Sequence, residues 1–219
     1  MSPKANTAPR VSSPADLRNV VLVGSAGSGK TTLFENVLRA RIPGYRGERD
    51  DLERAAALTL ATITGSSNGH DVVINLLDAP GHPDFVGDLR AGLRAADAAV
   101  FVVSAADGID AATATLWREC QAANMPRAIA ITKLDTERAS FNAAVSTING
   151  TFGAGAHPAY LPLQDPSGEV IGNMSLLTGH VHDYSSGTRQ TRPATGDEQA
   201  QIDQFRTDYV ESIITESED

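Results

Sequence analysis

Nine consecutive residues, Gly24-Ser25-Ala26-Gly27-Ser28-Gly29-Lys30-Thr31-Thr32, carry the densest chemistry in the sequence. Gly24 to Thr31 match the pattern G-x-x-x-x-G-K-[ST]. Glycines at this spacing let backbone amides turn inward around an anion, and a helix that begins there adds favourable partial charge. Lys30 can reach the β- and γ-phosphates of a nucleotide, and the Thr31 hydroxyl can ligate Mg2+. The bland alternative is a glycine-rich turn between a strand and a helix that binds nothing.

Two further groups extend the same chemistry. In Asp78-Ala79-Pro80-Gly81-His82 the aspartate closes an apolar run, where a second carboxylate is expected to hold Mg2+, often through water. The Gly81 amide can meet a γ-phosphate. Either ring nitrogen of His82 can orient a water, and histidine titrates near physiological pH. On its own His82 would be a surface-loop histidine. In Thr132-Lys133-Leu134-Asp135 the Asp135 carboxylate can accept two hydrogen bonds from guanine N1 and N2. Adenine offers no matching donor pair and would leave the charge unpaired. The Lys133 stem can pack on the base plane. The competing role for Asp135 is an ordinary helix N-cap.

These groups need elements to hold them. Asn19–Val23, Val72–Leu77, Ala98–Val103 and Ala128–Ile131 are continuous apolar runs rich in β-branched residues, the pattern of strands buried on both faces. Helical spacing predicts helices over Thr31–Arg39, Asp84–Ala95, Ala111–Ala123 and Thr136–Ile148. Such alternation implies right-handed βαβ units, a mostly parallel sheet and a three-layer α/β sandwich, and the Gly24–Thr31 motif between a strand and a helix makes it one of the P-loop NTPase type. Residues 40–57 are polar and charged and read as a long mobile loop, of a length that is usually functional or disordered. From about Gly153 glycine, proline and serine become frequent, short strands are expected at Glu169–Ile171 and Ser175–Leu177, and Asp197–Thr215 is helical in pattern.

Composition restricts the partners. With 219 residues, 41% hydrophobic and 21% charged, the chain matches an ordinary globular domain with an insertion. Its 27 acidic against 18 basic residues disfavour a grip on bare nucleic acid, and sequence-specific DNA binding is not expected. Cys120 is alone and can form neither an internal disulfide nor a multi-thiolate metal site. That points to a reducing, cytoplasmic setting. No run approaches the length of a membrane span. Residues 1–17, rich in Ser, Pro and Ala at their start, read as a flexible leader.

The motifs together resemble the translational GTPases, most closely elongation factor G and, within that group, the divergent actinobacterial elongation factor G-like proteins. The likeness runs from Leu17 to about Leu177. It rests on Arg18-Asn19-Val20-Val21, on Asp78-Ala-Pro-Gly-His-Pro-Asp-Phe85, on Asp88–Asp97, on Phe101–Ile109 and on the T-K-L-D box at Thr132. The resemblance implies GTP/GDP as the bound nucleotide, Mg2+ as cofactor, and hydrolysis of GTP that is slow without the ribosome. It implies that His82 positions the attacking water and that residues 40–60 and 78–95 are the two switch segments. Thr59 would supply a second hydroxyl to Mg2+ beside Thr31 and Asp78. The segment after Gly153 resembles that family's insertion into the GTPase domain, which contacts the ribosomal stalk. The resulting division is 1–17 leader, 18–156 GTPase core and 157–219 partial insertion, in a monomer.

Four positions depart from the family. Gly27 stands where its phosphate loop has an acidic residue, so the resemblance does not carry over its monovalent-cation site. Ala56-Ala57-Leu58-Thr59 replaces R-G-I-T, with Arg54 available as a shifted arginine. Thr132 replaces asparagine in N-K-x-D. No Ser-Ala box follows Asp135, and the expectation is a chain that stops inside the GTPase domain.

A second reading is a nucleotide-gated binding module that occupies or regulates the ribosome with little hydrolysis, favoured by the altered first switch. A third, an ATP-dependent enzyme, rests on the phosphate loop alone and is opposed by Asp135. His180, His182 and Asp183 would need further ligands to hold a metal. His70 and His157 read as turn residues, Trp117 and Cys120 as packing, and Glu211–Asp219 as a solvated helix end.

Overall fold

In the computed structural model, residues 11, 13–47, 58–67, 70–153 and 156–217 are described. Most of the leader, residues 48–57 of the first long loop with Arg54, Ala56 and Ala57, and the last two residues lie outside them. The chain forms two compact units, Met1–Thr132 and Lys133–Asp219.

The apolar runs of the first unit become strands β1 (Leu17–Val23), β3 (His70–Asp78), β4 (Ala98–Ser104) and β5 (Arg127–Thr132). With β2 (Thr59–Ser67) they make one sheet in the order β2-β3-β1-β4-β5. All neighbours are parallel except β2, which runs antiparallel to β3. Helices α1 (Lys30–Arg41), α2 (Val86–Ala95) and α3 (Ala111–Ala122) join the strands. Alternate residues of each central strand serve opposite faces, as a pleated backbone requires. Leu22, Leu76 and Val102 pack against Phe34 and Leu38 of α1. On the other face Gly92 of α2 lies against Val21, and Phe101 meets Trp117 of α3 edge-on, with ring centroids 4.9 Å apart. Helices therefore cover both faces of a mostly parallel sheet, which is the expected α/β architecture.

The apolar runs do not reveal β2. Its Thr62 and Thr64 are exposed and Ile63 is buried, a half-buried alternation rather than a continuous run. The helix that follows Asp78 is shorter than its spacing suggests, because Pro83–Phe85 form a single 3-10 turn before α2 begins.

In the second unit the predicted helix Thr136–Ile148 starts later, as α4 (Phe141–Phe152). Ser140 caps it by accepting from the Ala143 amide, while Thr136 and Ala139 close turns on Lys133 and Thr136. Strands β6 (Tyr160–Gln164), β7 (Val170–Ser175), β8 (His180–Asp183) and β9 (Gln190–Pro193) form an antiparallel sheet in that order. The strand expected at Ser175–Leu177 is instead the end of β7 and a turn, with the Gly179 amide bonded back to Ser175. Helix α5 (Asp197–Ser217) packs Ile202, Phe205 and Tyr209 on Leu161, Met174 and Val181, with Phe141 of α4 joining the cluster. Ile213 continues the helical spacing but is 41% exposed, so the packed stripe ends before it.

Candidate functional site

The phosphate-loop residues lie between the end of β1 and the first turn of α1. Gly29 precedes the helix with φ of 95°, a left-handed conformation that glycine takes at little cost. Gly24 is needed for a different reason. A Cβ there would collide with the Val102 carbonyl oxygen of β4 and lie 2.9 Å from Ser28 Oγ. The loop thus passes too close to a central strand for any side chain.

Lys30 is 6% exposed and donates from Nζ to the carbonyl oxygens of Gly24 at 2.8 Å and Ser25 at 2.9 Å. Burial pushes its pKa down, and the carboxylates of Asp78 and Asp110 partly offset this. The ammonium is therefore held in a poorly solvated place, where an anion interacts more strongly with it than in water. The motifs do not point to Asp110. Its visible role is the N-cap of α3, accepting from the Thr113 amide at 2.7 Å, and its sequence signal is that of a cap.

Thr31 Oγ1 donates to Asp78 Oδ2 at 2.7 Å, which joins the start of α1 to the end of β3. Asp78 is buried, and its Cα partner across the antiparallel pair is Thr59. Directly opposed residues share a face of the sheet. The structure so brings Thr31, Asp78 and Thr59 together from α1, β3 and β2. Mg2+ takes oxygen ligands at about 2.0–2.1 Å in an octahedron, whose adjacent ligands stand about 2.9 Å apart. The Thr31–Asp78 oxygen pair is close to that separation, and the donor set of hydroxyls and carboxylate is the hard-oxygen kind that Mg2+ prefers. The residues fit the ion.

Gly81 approaches the same place. A Cβ on it would collide with Lys30 Nζ, lie 2.9 Å from the Ala26 amide nitrogen and 3.0 Å from the Gly24 carbonyl oxygen. The segment after Asp78 therefore rests against the phosphate loop itself. His82, one residue further, is turned to its own segment. Its side chain is 57% exposed, its Nδ1 receives the Asp84 amide at 3.4 Å and stands 3.4 Å from Asp84 Oδ2, and Phe85 lies edge-on to the ring. A neutral ring that accepts at Nδ1 carries its hydrogen on Nε2.

Ser28 is 1% exposed, and among the described residues its Oγ has no hydrogen-bond partner. Burying an unsatisfied hydroxyl costs about 1–3 kcal/mol. Ser28→Ala should therefore leave the melting temperature unchanged or raise it, read by thermal denaturation. A drop of several degrees would mean that the hydroxyl is bonded after all.

Thr132 ends β5, and its side chain reaches the phosphate loop: Oγ1 lies 2.6 Å from the Ser28 carbonyl oxygen and 3.2 Å from that of Val103. Lys133 and Asp135 open the second unit. Lys133 has φ of 56°, a left-handed conformation uncommon outside glycine and asparagine. Its carbonyl accepts from both the amide and the hydroxyl of Thr136. Asp135 is exposed and does not cap α4, since Ser140 does. The bland role open to it in the sequence is thus taken by another residue. Elsewhere, His180 bonds the Thr178 carbonyl and His182 the Thr191 hydroxyl across the β8–β9 pair.

Comparison with known proteins gives a consistent picture. Residues 15–214 match the family model for the elongation factor Tu GTP binding domain. The chain is 39% identical over 227 residues to proteins named "Elongation factor G-like protein" in two strains of Mycobacterium tuberculosis, covering 98% of this chain and 31% of theirs. A crystal structure from Thermus thermophilus superposes with a TM-score of 0.78 at 32% identity, over 90% of this chain and 31% of that one. The chain thus spans about a third of the length of these relatives. No helix among the described residues is long and apolar enough to cross a membrane.

Proposed function

Because the chain belongs to the elongation factor Tu GTP-binding domain family, we propose that it binds GTP and GDP through Gly24–Thr32 and hydrolyses GTP in concert with the ribosome. The observation that carries this reading is the meeting of the buried Lys30 ammonium with the Thr31–Asp78 pair at 2.7 Å. Together they supply a cation for the phosphates and an oxygen pair for the ion that accompanies them.

The chemistry asked of the chain is positioning and electrostatics. Lys30 leaves its two loop carbonyls for the β- and γ-phosphates and neutralises charge that grows toward the β–γ bridge. Loop amides from Ala26 to Thr31 complete the cradle. Thr31 and Asp78, with Thr59, would hold Mg2+, which draws negative charge off the phosphate oxygens. Gly81 offers its amide where a third phosphate would arrive, so the segment that follows it can respond to the presence of that phosphate. His82 is then free to orient a water through the ring nitrogen that Asp84 does not engage. Asp135 and the Lys133 stem would select guanine.

The test is phosphate release from GTP with and without ribosomes, in wild type and His82→Ala. The variant should lose about 100-fold of the stimulated rate while its GDP affinity stays the same. Equal stimulated rates would remove His82 from the reaction. A wild type that binds GTP yet shows no stimulation would favour the nucleotide-gated module instead.

A further inference from the structure

Thr132 occupies the first position of the box expected to read guanine, yet its side chain is engaged elsewhere. A threonine hydroxyl has one hydrogen and two lone pairs. Here that hydrogen points at backbone carbonyls, the nearer being Ser28 at 2.6 Å and the second Val103 at 3.2 Å. Carbonyl oxygens only accept, so the hydroxyl must be the donor in both contacts and has no second hydrogen to give. The outward edge of guanine presents N7 and O6, both acceptors. Thr132 has nothing to donate to them.

The surroundings of the side chain say what it does. A Cβ built on Gly29 would lie 3.5 Å from Thr132 Oγ1 and 3.6 Å from its Cβ and Cγ2, in ordinary van der Waals contact, so the threonine faces the glycine that precedes α1 across about the width of a methyl group. The Thr132 carbonyl accepts from the Ala105 amide just past β4. The Ser28 amide bonds the Ser25 carbonyl, closing the loop on which the Thr132 hydroxyl pulls. One side chain thereby ties the end of β5, the end of β4 and the last turn of the phosphate loop.

We propose that Thr132 is a positioning residue that latches the phosphate loop at Ser28–Gly29 and does not read the base, so that the site is indifferent to guanine N7. The proposal rests on the nucleotide reading above. An asparagine at this position could latch and read at once, because its amide has two hydrogens. Threonine can do only the first.

The experiment compares the affinities of GDP and 7-deaza-GDP, which lacks the N7 acceptor, for the 219-residue chain and for Thr132→Val and Thr132→Ser. Wild type should bind the two nucleotides within about twofold of each other. Thr132→Val keeps the shape but loses the hydroxyl and should weaken both by the same factor, about tenfold. Thr132→Ser should restore both. A wild-type preference for GDP of fivefold or more that disappears in Thr132→Val would show that the hydroxyl reads N7 and would overturn the proposal. An unchanged affinity in Thr132→Val would overturn the latch. If Thr132→Val melts below the assay temperature, the wild-type ratio of the two nucleotides decides alone. A wild type that binds neither nucleotide sinks the GTP reading itself, and the proposal with it.

Discussion

Lys30→Met should abolish most nucleotide binding while leaving the fold intact. The lysine is buried beside the carboxylate of Asp78, but its hydrogen bonds go to two backbone carbonyls. Its lowered pKa means that folding disfavours the charged form. Between the folded and unfolded values the unfolded chain holds more protons, so stability rises with pH there, and at neutral pH the charge costs the folded state free energy. Methionine fills similar volume and removes that cost. It also removes two charge-assisted bonds, and the opposing effects should leave the melting temperature within a few degrees. Binding has no such compensation. Losing the cation proposed to meet the phosphates should weaken GDP by about 100-fold, or about 2.7 kcal/mol. Titration calorimetry with GDP, alongside a thermal melt, checks both halves. An affinity within threefold of wild type would remove Lys30 from the site.

Gly24→Ala should do the reverse, damaging the first unit before any ligand is considered. The new methyl would collide with the Val102 carbonyl oxygen. Ser28 could swing its hydroxyl aside, but Val102 sits on β4, held between β1 and β5. Overpacking of this kind costs about 3 kcal/mol, a melting shift of about 6–12 °C for a chain of this size. Gly27→Ala is the matched control. A Cβ at Gly27 meets nothing within 4 Å, and its φ of 76° costs alanine only about 1–2 kcal/mol. If the two variants melt together, close approach to Val102 is not what excludes a side chain at position 24.

Much of this is legible in the sequence because the signals are local. Strands β1, β3 and β4 carry apolar runs that end in buried residues beside the site, and Lys30, Thr31 and Asp78 stand at strand and helix ends that the pattern marks. Strand β2 is hidden because exposed residues alternate with half-buried ones around a buried Ile63, so Thr62 and Thr64 mask it. The start of α4 is displaced from its expected position because Ser140, not the charged stretch before it, caps the helix by accepting from the Ala143 amide. The tasks of Thr132 and Asp110 cannot be read from spacing. One depends on a carbonyl 104 residues away in the chain, the other on a buried ammonium that only the folded sheet brings near. Long-range hydrogen bonds and shared electrostatics leave no periodic trace.

The placement of Trp117 has a practical consequence for studying the chain. It is the sole tryptophan, set edge-on to Phe101 with the Arg127 guanidinium carbon 4.6 Å from its ring centre, all within the first unit. Three of the four tyrosines, Tyr160, Tyr184 and Tyr209, belong to the second. The two units therefore carry different chromophores. Indole emission reports the melting of the mostly parallel sheet, and tyrosine absorbance largely reports the antiparallel sheet and its helix. A single denaturation, followed at two wavelengths without any label, distinguishes one cooperative transition from two.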